Sequence, residues 1–407
     1  MLLLKLNSII LILLFFLTVN KSSAYHYWQS KNQGRVFKLN GLIEAINEFS
    51  FELYQVVNKG NENENHFYSP IGIIYAFSML MIGAKKDSEL EVFRGLHLDQ
   101  NFRTPEEAHK SFRLLLKVLE RNANYSLDMA NIILTQKDNR FLKEFTKRLG
   151  SFYKVAIGEV DFLRNGRKVM NYINQFVSNS THNKIKDFVK RPLDPLTRLV
   201  ILNAVYFKAE WRVKFDGLFN KERLFYNNGK TPNEVTFMFN YGGFGYFEDK
   251  VKKYKLLEMQ YSGEASFLLL LPFEKDGLDN VLQQVTMEEI LQPLDEKEVS
   301  VWIPKFKLEG EYDLKKVLPD LGIKAIFGPG ADLSGINGDK TLFVTSGVHK
   351  AMVEVNEAGT EAAAATSITI LTRLSSRYVI DADHPFLFII RDTKYNLIYF
   401  MGKVNIL

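Results

Sequence analysis

Cysteine is absent from the 407-residue sequence, and proline and glycine are scarce, with 11 and 25 residues. Without a thiol the chain cannot form a disulfide, a thiolate zinc site or an iron–sulfur cluster, and it has no cysteine nucleophile. No Pro/Ser-rich spacer, low-complexity stretch or repeat divides it. Because 46% of the residues are hydrophobic, the composition is that of a globular protein, and we expect the core alone to stabilise it.

Neither sign of charge dominates the sequence. The 52 Lys and Arg residues face 47 Asp and Glu residues, a net charge of +5. Lys5 and Lys21 supply two of these charges before residue 25, so the remainder of the chain carries about +3. This balance is too small for a general nucleic-acid binder, and we expect no nucleic-acid partner.

Motifs of catalysis and cofactor binding are also missing. The sequence contains no HExxH, no GxSxG, no Walker phosphate loop and no GxGxxG after a strand. Its seven histidines include no pair at the helical spacing of metal ligands. The sequence therefore predicts no metal, no cofactor and no catalytic residue, and a conventional hydrolase is the weakest interpretation.

The first 24 residues have the features of a secretory signal. Lys5 precedes an unbroken apolar run at 9–17, and Ser22 to Ala24 place small residues where signal peptidase cleaves. The run is shorter than the roughly 20 residues of a membrane span. We predict a cleaved signal at 1–24, a single domain at 25–407, an extracellular location and no membrane partner. An N-terminal anchor is the alternative.

Two glycosylation sequons fit that route of export. They begin at Asn124 and Asn179. Their chance occurrence is the alternative.

Hydrophobic periodicity changes from helical to strand-like along the chain. Apolar residues recur at three- and four-residue spacing over 39–57 and 71–83, and Thr104 with Pro105 begins another helix. Short β-rich apolar runs follow at 199–207, 266–271 and 299–306, and two final strands are predicted at 380–390 and 396–404. Helices followed by strands, without regular alternation, favour an α+β fold.

One segment near the C-terminus combines helix-favouring and strand-favouring residues. After Gly359, residues 361–365 favour a helix, whereas 366–372 are β-branched and alternating. No proline interrupts the chain from Thr360 to Asp383, so every backbone N–H could pair in a sheet. Every second residue from Thr360 to Ile370 is small or apolar. The segment could therefore enter a sheet, sit exposed as a loop, or form an Ala-rich helix that runs into an ordinary strand.

Nine ordered motifs make the chain resemble the serpin family over roughly residues 38–407. The segment after Gly359 is similar to the reactive-centre hinge of inhibitory serpins. The other motifs are FYSP at 67–70, MLMIGA at 79–84, NAVYFKAEW at 203–211, VWIPKF at 301–306, DLSGI at 332–336, HK at 349–350, HPF at 384–386 and FMGKV at 400–404. Gly72 departs from the pattern, because serine is usual there.

The resemblance implies a fold of three β-sheets and eight or nine helices, with an exposed reactive-centre loop at about 356–380. It implies that a protease cleaves the loop, that the hinge then enters the central sheet as a new strand, and that the acyl-enzyme is trapped. The chain would thus be a monomeric protease inhibitor and not an enzyme. The implied hinge is Gly359, Thr360, Glu361, Ala362, Ala363, Ala364, Ala365 and Thr366, and the implied sheet-opening region includes Ser69, Pro70, Asn203, Trp211 and His349.

The position of the cleaved bond follows from family loop length. Fourteen residues past Gly359 lies Arg373, which places the reactive bond at Arg373–Leu374. An arginine there fits the acidic specificity pocket of trypsin-like serine proteases, which are the expected covalent partners. Cleavage after Leu374 or after Arg377 remains an alternative.

A basic stripe suggests a second partner. Lys110, Arg113, Lys117 and Arg121 are spaced to share one helix face. By order this is the helix that binds glycosaminoglycans in some family members, and a merely solvated face is the alternative.

The leading interpretation is a secreted suicide inhibitor of trypsin-like serine proteases. The alternative is a non-inhibitory family member with a carrier, storage or chaperone role. Hinges of such members usually carry bulky, charged or proline residues, whereas Thr360 and 362–365 are small.

Overall fold

The computed structural model describes residues 38–120, 124–360 and 377–407. Ten α-helices and fifteen strands lie in these ranges. The helices are α1 (38–58), α2 (Pro70–Met81), α3 (Lys86–Gly95), α4 (Pro105–Leu119), α5 (Lys143–Phe152), α6 (Phe162–Ser180), α7 (Leu278–Leu282), α8 (Met287–Ile290), α9 (Leu314–Val317) and α10 (Ser334–Asn337).

The strands fall into two sheets in the described part of the chain. They are β1 (His66–Tyr68), β2 (Tyr125–Gln136), β3 (Ala156–Val160), β4 (Leu199–Glu210), β5 (Lys221–Asn227), β6 (Thr231–Asp249), β7 (Tyr254–Gln260), β8 (Ala265–Pro272), β9 (Asp295–Pro304), β10 (Phe306–Asp313), β11 (Ser346–Asn356), β12 (Gly359–Thr360), β13 (Tyr378–Asp381), β14 (Phe386–Asp392) and β15 (Ile398–Val404).

The central sheet has six strands in the order β10-β11-β12-β4-β2-β3, and β11 also pairs directly with β4. The second sheet follows the order β1-β15-β14-β8-β7-β6-β9-β13, with β5 paired to β6. The resemblance implies two further sheets beside the central one, and here their strands form one continuous nine-stranded sheet. They are continuous because β6, 19 residues long, pairs with β5 over 231–237, with β9 over 237–246 and with β7 over 245–249.

The α+β prediction is confirmed, with differences of detail. The described ranges contain ten α-helices against the eight or nine that the resemblance implies, and four of them, α7 to α10, are single turns of four or five residues. The predicted strand at 380–390 is two strands, β13 and β14, separated by residues 382–385. Pro385 lies in this break and has no N–H to donate to a neighbouring strand.

Helix α2 lies between the two sheets and contacts both β4 and β15. All twelve of its residues are buried, as expected of a helix that is apolar on every face. Ser69 caps it by accepting a hydrogen bond from the Gly72 N–H, and Pro70 occupies the first turn, where no N–H is needed.

A smaller core fills the other face of the central sheet. There Phe162, Val169, Ile173 and Val177 of α6 pack with side chains of β2, β4 and β11. The middle of the central sheet is therefore covered on both sides, by α2 on one and by α6 on the other.

Candidate functional site: the seam of the central sheet

Two parallel strands meet at the middle of the central sheet. β11 and β4 pair directly from Ser346 opposite Val200 to Met352 opposite Tyr206. Beyond this point they diverge, and the two residues of β12 lie between them. Gly359 faces Glu210 and Asn356, and Thr360 faces Ala209 and Val355. We call the line between β4 and β11 the seam. It is already open by two residues at this end.

Gly359 is required by the tight return of the chain from β11 into β12. Its φ is +143°, a conformation that residues with a side chain rarely adopt. A Cβ atom at this position would lie 2.2 Å from the carbonyl oxygen of Ala209 and 2.6 Å from Cα of Glu210. Only glycine allows so close an approach of the two strands.

Thr360 is buried in the seam, with 1% of its surface exposed. Its hydroxyl lies 3.0 Å from that of Tyr261, and the Tyr261 ring stacks on Trp211 at 4.3 Å. The expectation that 356–380 forms an exposed loop is therefore wrong at both ends: Gly359 and Thr360 are strand residues, and Tyr378 begins β13. The register of β11 allows this, since its pairing with β4 stops at Met352.

Most of the predicted hinge and the predicted reactive bond lie outside the described residues. They are Glu361, Ala362, Ala363, Ala364, Ala365, Thr366, Arg373 and Leu374.

Trp211, predicted as part of the sheet-opening region, lies at the open end of the seam. Its indole Nε1 donates to the carbonyl of Asn356 at 2.9 Å, and its backbone N–H donates to Ala358 at 2.9 Å. The turn between β11 and β12 is thus held from one side by a single buried tryptophan.

Glu357 holds the same turn from the other side, and the sequence did not reveal it. Its carboxylate accepts hydrogen bonds from Lys305 at 2.8 Å and from Asn220. Burial opposes its ionisation, but these two donors outweigh burial and keep the pKa of Glu357 below its usual value. Its contacts with Lys305, 52 residues away, and with Asn220, 137 residues away, distinguish it from any surface glutamate.

His349 links three elements at the middle of the seam. Its Nε2 accepts from the Ser69 N–H at 2.9 Å, and its Nδ1 lies 2.6 Å from Oδ1 of Asn203. Asn203 in turn donates to Asn131 at 2.7 Å. These contacts require a neutral imidazole with its proton on Nδ1. The predicted residues Ser69, Asn203 and His349 are thus brought into one buried network, next to Pro70.

His349 and Asn203 face each other across the seam. Any strand that enters here must break the bond between them. Ser69 also donates to the carbonyl of Tyr399 at 2.8 Å, which ties the network to the second sheet. The network can therefore resist opening of the seam.

Gly72 packs directly against this network, with no space left for a side chain. A Cβ atom there would be 2.5 Å from Oδ1 of Asn203 and 2.5 Å from Cγ2 of Val205. The hydrogen bonds of His349, Asn203 and Asn131 form without the serine that is usual at this position. In this chain the glycine allows α2 to pack closely on β4.

Acid should weaken the seam through His349. Complete burial lowers the pKa of His349 to about 3, whereas an unfolded histidine titrates near 6.5. The unfolded chain therefore binds a proton first as the pH falls, so the stabilisation is complete above about pH 6.5 and decreases toward pH 3. At pH 5 we expect this histidine to cost about 2 kcal/mol of the free energy of unfolding.

Urea unfolding of the wild type and of His349→Gln at pH 7.5 and 5.0 would measure this loss. The variant should lose about 2 kcal/mol of the wild type's pH dependence. His109, whose pKa burial also lowers to about 3, gives the matched variant His109→Gln, and the double variant should lose both contributions. An unchanged pH dependence in His349→Gln would contradict the expectation.

The predicted basic stripe lies on α4, away from the seam. Lys110, Arg113 and Lys117 are exposed on one side of this helix, and Arg121 lies outside the described residues. Lys110 is 3.9 Å from Glu106, which also pairs with Arg148 at 2.7 Å. An acidic side chain therefore lies within the stripe.

Both sequon asparagines are exposed. Asn124 immediately precedes β2, and Asn179 lies in the last turn of α6.

Within the described ranges there is no group of three or more acidic or histidine side chains placed to hold a metal ion. Over the same ranges, no helix combines the length and apolar character needed to cross a bilayer.

Comparisons with known proteins agree with this geometry. The family model described as "Serpin (serine protease inhibitor)" matches residues 44–406. Intracellular coagulation inhibitor 2 of Tachypleus tridentatus is 34% identical over 371 residues, which cover 89% of this chain and 90% of that protein.

Two solved structures have the same fold. Serpin48 of the insect Tenebrio molitor superposes with a TM-score of 0.82 at 33% identity, over 90% of this chain and 98% of that one. Human thyroxine-binding globulin, solved in complex with thyroxine, superposes with a TM-score of 0.84 at 26% identity, over 91% of this chain and 99% of that one.

Proposed function

The chain belongs to the serpin family, and on that premise we propose that it is a secreted suicide inhibitor of trypsin-like serine proteases. The observation that carries the proposal is the seam. β12 lies between β4 and β11, directly before a run of small residues in the sequence. Continuing this strand would add a full ladder of hydrogen bonds on both of its edges.

The seam also explains how a stable protein can store the energy for inhibition. While the segment is outside, β4 and β11 pair with each other, and His349 and Asn203 close the seam. After cleavage the segment is free at one end, and the pairing of β4 with β11 can be exchanged for two new pairings. The uncleaved chain is then held by a barrier rather than by the lowest free energy.

The proposed reactive bond is Arg373–Leu374. It lies where the family loop length places it, and a guanidinium makes bidentate hydrogen bonds with an acidic specificity pocket. The matching family is described as serine protease inhibitors, and the relative from Tachypleus tridentatus is named a coagulation inhibitor. Both support a proposal of inhibition.

The non-inhibitory alternative has support from one neighbour. Thyroxine-binding globulin, which was solved in complex with thyroxine, has the same fold. The residues of this hinge favour inhibition instead, because Thr360 fits the seam and alanines occupy 362–365.

Secretion and glycosylation belong to the same proposal. The apolar run at 9–17 and the exposed positions of Asn124 and Asn179 support them. Treatment of the secreted protein with a glycosidase, compared with Asn124→Gln and Asn179→Gln, would test both sequons.

The proposal includes a polyanion that binds the basic stripe of α4. Lys110, Arg113 and Lys117 are exposed together on α4, but Glu106 lies among them. Retention on immobilised heparin that falls in a variant with all three changed to glutamine would support it.

Incubation with trypsin, followed by a denaturing gel, tests the main proposal. An inhibitor gives a complex that survives denaturation, because the acyl bond is covalent. A carrier or storage protein gives only cleaved chain. A complex formed with chymotrypsin but not with trypsin would instead favour cleavage after Leu374.

Cleavage between Thr369 and Arg373 should raise the thermal stability. The freed segment would bury Ala362, Ala364, Ile368 and Ile370 in the seam. At about 1.5 kcal/mol for each large apolar side chain, and with the added hydrogen bonds, we expect the melting temperature to rise by at least about 10 °C. Calorimetry of the intact and cleaved forms measures it. A cleaved form that melts at the intact form's temperature would favour the non-inhibitory alternative.

A further inference from the structure

The net positive charge of this protein is concentrated in one short stretch of the chain. Residues 162–191, which are α6 and most of the connection after it, contain seven lysine and arginine residues and one aspartate, a net charge of +6. The whole chain carries +5, so the remaining residues together are close to neutral. A surface on which one sign of charge is concentrated attracts ligands of the opposite sign.

The connection after α6 runs back along the helix and brings the two ends of this stretch together. Asn174 binds the backbone of Val189 with both atoms of its amide, at 2.8 and 3.0 Å. About two turns earlier in α6, Gly166 faces Pro192, because a Cβ atom on this glycine would lie 3.3 Å from Cβ of Pro192. Residues 190 and 191 therefore lie beside the first turns of α6.

The cationic side chains gathered in this way form a basic face. Arg167 lies two helical turns before Asn174, so both are on the side of α6 that the connection follows. Lys168 is the next residue, and Arg164 is in the first turn. We define the basic face as five residues, all of which are exposed: Arg164, Arg167, Lys168, Lys190 and Arg191.

The protein itself makes little use of these charges. In the described ranges, Lys190 is the one member of the basic face that forms an ion pair, with Oε2 of Glu311 at 3.8 Å. This pair is long and exposed, so it contributes little to stability. Asp161, the nearest acid in the sequence, accepts hydrogen bonds from the backbone N–H of Arg164 at 2.9 Å and from Lys137 at 3.1 Å. The cations of the basic face are therefore available to a ligand.

The basic stripe of α4 has a weaker field than the basic face. Residues 105–121 contain four lysine and arginine residues but also three glutamates, a net charge of +1. One of these glutamates, Glu106, lies 3.9 Å from Lys110 within the stripe. A polyanion should therefore prefer the basic face to α4.

Sulfate groups suit the basic face better than nucleotide bases do. Three of its five residues are arginines, whose planar guanidinium makes paired hydrogen bonds with oxyanions. Proteins that hold single-stranded nucleic acid also present several aromatic side chains on which bases stack, whereas α6 exposes one, Tyr172. The ligand that fits is a linear polysaccharide with closely spaced sulfates.

We infer that the basic face binds a linear sulfated polysaccharide, chiefly through Arg167, Lys168 and Arg191. The inference rests on the secretion and the polyanion partner of the proposed function, and it adds a second, stronger site for that partner. It does not depend on protease inhibition.

The basic face is remote from the hinge. The first turns of α6 follow β3, at the end of the central sheet where β4 begins at Leu199. Thr360 lies near the other end of β4, opposite Ala209, about 35 Å away along the strand. A polysaccharide bound to the basic face thus leaves the reactive loop free to meet a protease.

The test is a titration of a fluorescently labelled heparin fragment with the secreted protein, followed by anisotropy at several NaCl concentrations. The basic-face variant combines Arg167→Gln, Lys168→Gln and Arg191→Gln. The matched control loses the same charge from α4 and combines Lys110→Gln, Arg113→Gln and Lys117→Gln.

We expect the basic-face variant to bind heparin at least about tenfold more weakly than the wild type at about 0.15 M NaCl, and the α4 variant to stay within about threefold of it. The slope of log affinity against log salt concentration should fall by about 2 in the basic-face variant, because three contacts are lost. Desulfated heparin should not bind, and duplex DNA should compete more weakly than heparin. Equal melting temperatures of the two variants would exclude a loss of fold as the cause.

Equal weakening in both variants would overturn the basic face as the site. Weakening in the α4 variant alone would overturn it too, but would leave the polyanion part of the proposed function in place. Duplex DNA that binds more tightly than heparin would overturn the sulfated ligand, and a wild type that binds no heparin would overturn the polyanion partner altogether. The formation of a covalent complex with trypsin does not enter the titration, so a failure of the inhibitor function is distinguishable from each of these outcomes.

Discussion

Arg373→Ala should lower the rate of covalent-complex formation with trypsin by on the order of 10⁴-fold, because the specificity pocket of a trypsin-like protease carries a buried acid that only a cationic side chain satisfies. An alanine leaves that acid unpaired. The urea midpoint should not change, since the substitution removes no contact of the described core. Stopped-flow or discontinuous assays with trypsin in excess measure the rate.

Arg373→Lys is the matched control. Lysine keeps the positive charge but loses the bidentate geometry of the guanidinium, so complex formation should persist at a reduced rate. If Arg373→Ala forms the complex with trypsin at the wild-type rate, the reactive bond is not Arg373–Leu374. The variant Arg377→Ala would then show whether the bond lies after residue 377.

Thr360→Arg should convert the inhibitor into a substrate. Thr360 is buried between β11 and β4, and an arginine cannot shed its charge by losing a proton. Burying an unpaired guanidinium costs several kcal/mol. In the uncleaved chain, residues 359 and 360 can leave the seam, so that the guanidinium stays in water. This costs the hydrogen bond between Thr360 and Tyr261, about 1 kcal/mol. In the inserted form no such escape exists.

The cost therefore falls on insertion, and the acyl-enzyme should hydrolyse before the protease is displaced. The measurement is the ratio of complex to cleaved chain after reaction with trypsin, which should fall by at least about tenfold, since 1.4 kcal/mol of added barrier already gives that factor. Cleavage should still occur after Arg373, because the recognised bond is unchanged.

Thr360→Ser serves as the control, because it keeps the hydroxyl that meets Tyr261 and is small enough for the seam. It should trap trypsin with nearly the wild-type ratio. If Thr360→Arg traps protease as the wild type does, then Thr360 is not buried in the inserted form and the register of the hinge is wrong.

Much of the fold could be predicted from local pattern. The apolar spacing at 39–57 and 71–83 gave helices close to α1 and α2, and Thr104 caps α4 as expected. Buried strands such as β4 and β8 were recognised because strands apolar on both faces have a strong signal. The single-turn helices and the break between β13 and β14 were missed, because four or five residues carry too little periodicity.

The site divides in the same way. Ser69, Asn203, Trp211 and His349 were predicted by motif, and the structure places the first, second and fourth in one network and the third at the open end of the seam. Glu357 and Tyr261 were not found. Each acts through a partner far away in the chain, and single polar residues carry no pattern that reveals such a partner.

The sequence by itself determined the α+β class, the lack of any thiol, and the small-residue, proline-free segment after Gly359, because composition and local spacing fix these properties. Only the tertiary structure decided that Gly359 and Thr360 already lie in the sheet and that His349 closes the seam with Asn203. These features depend on strand register and on contacts between residues far apart in the chain, such as Asn203 with His349. A one-residue slip of β4 or of β11 would turn the side chains of that strand, Asn203 or His349 among them, to the other face of the sheet.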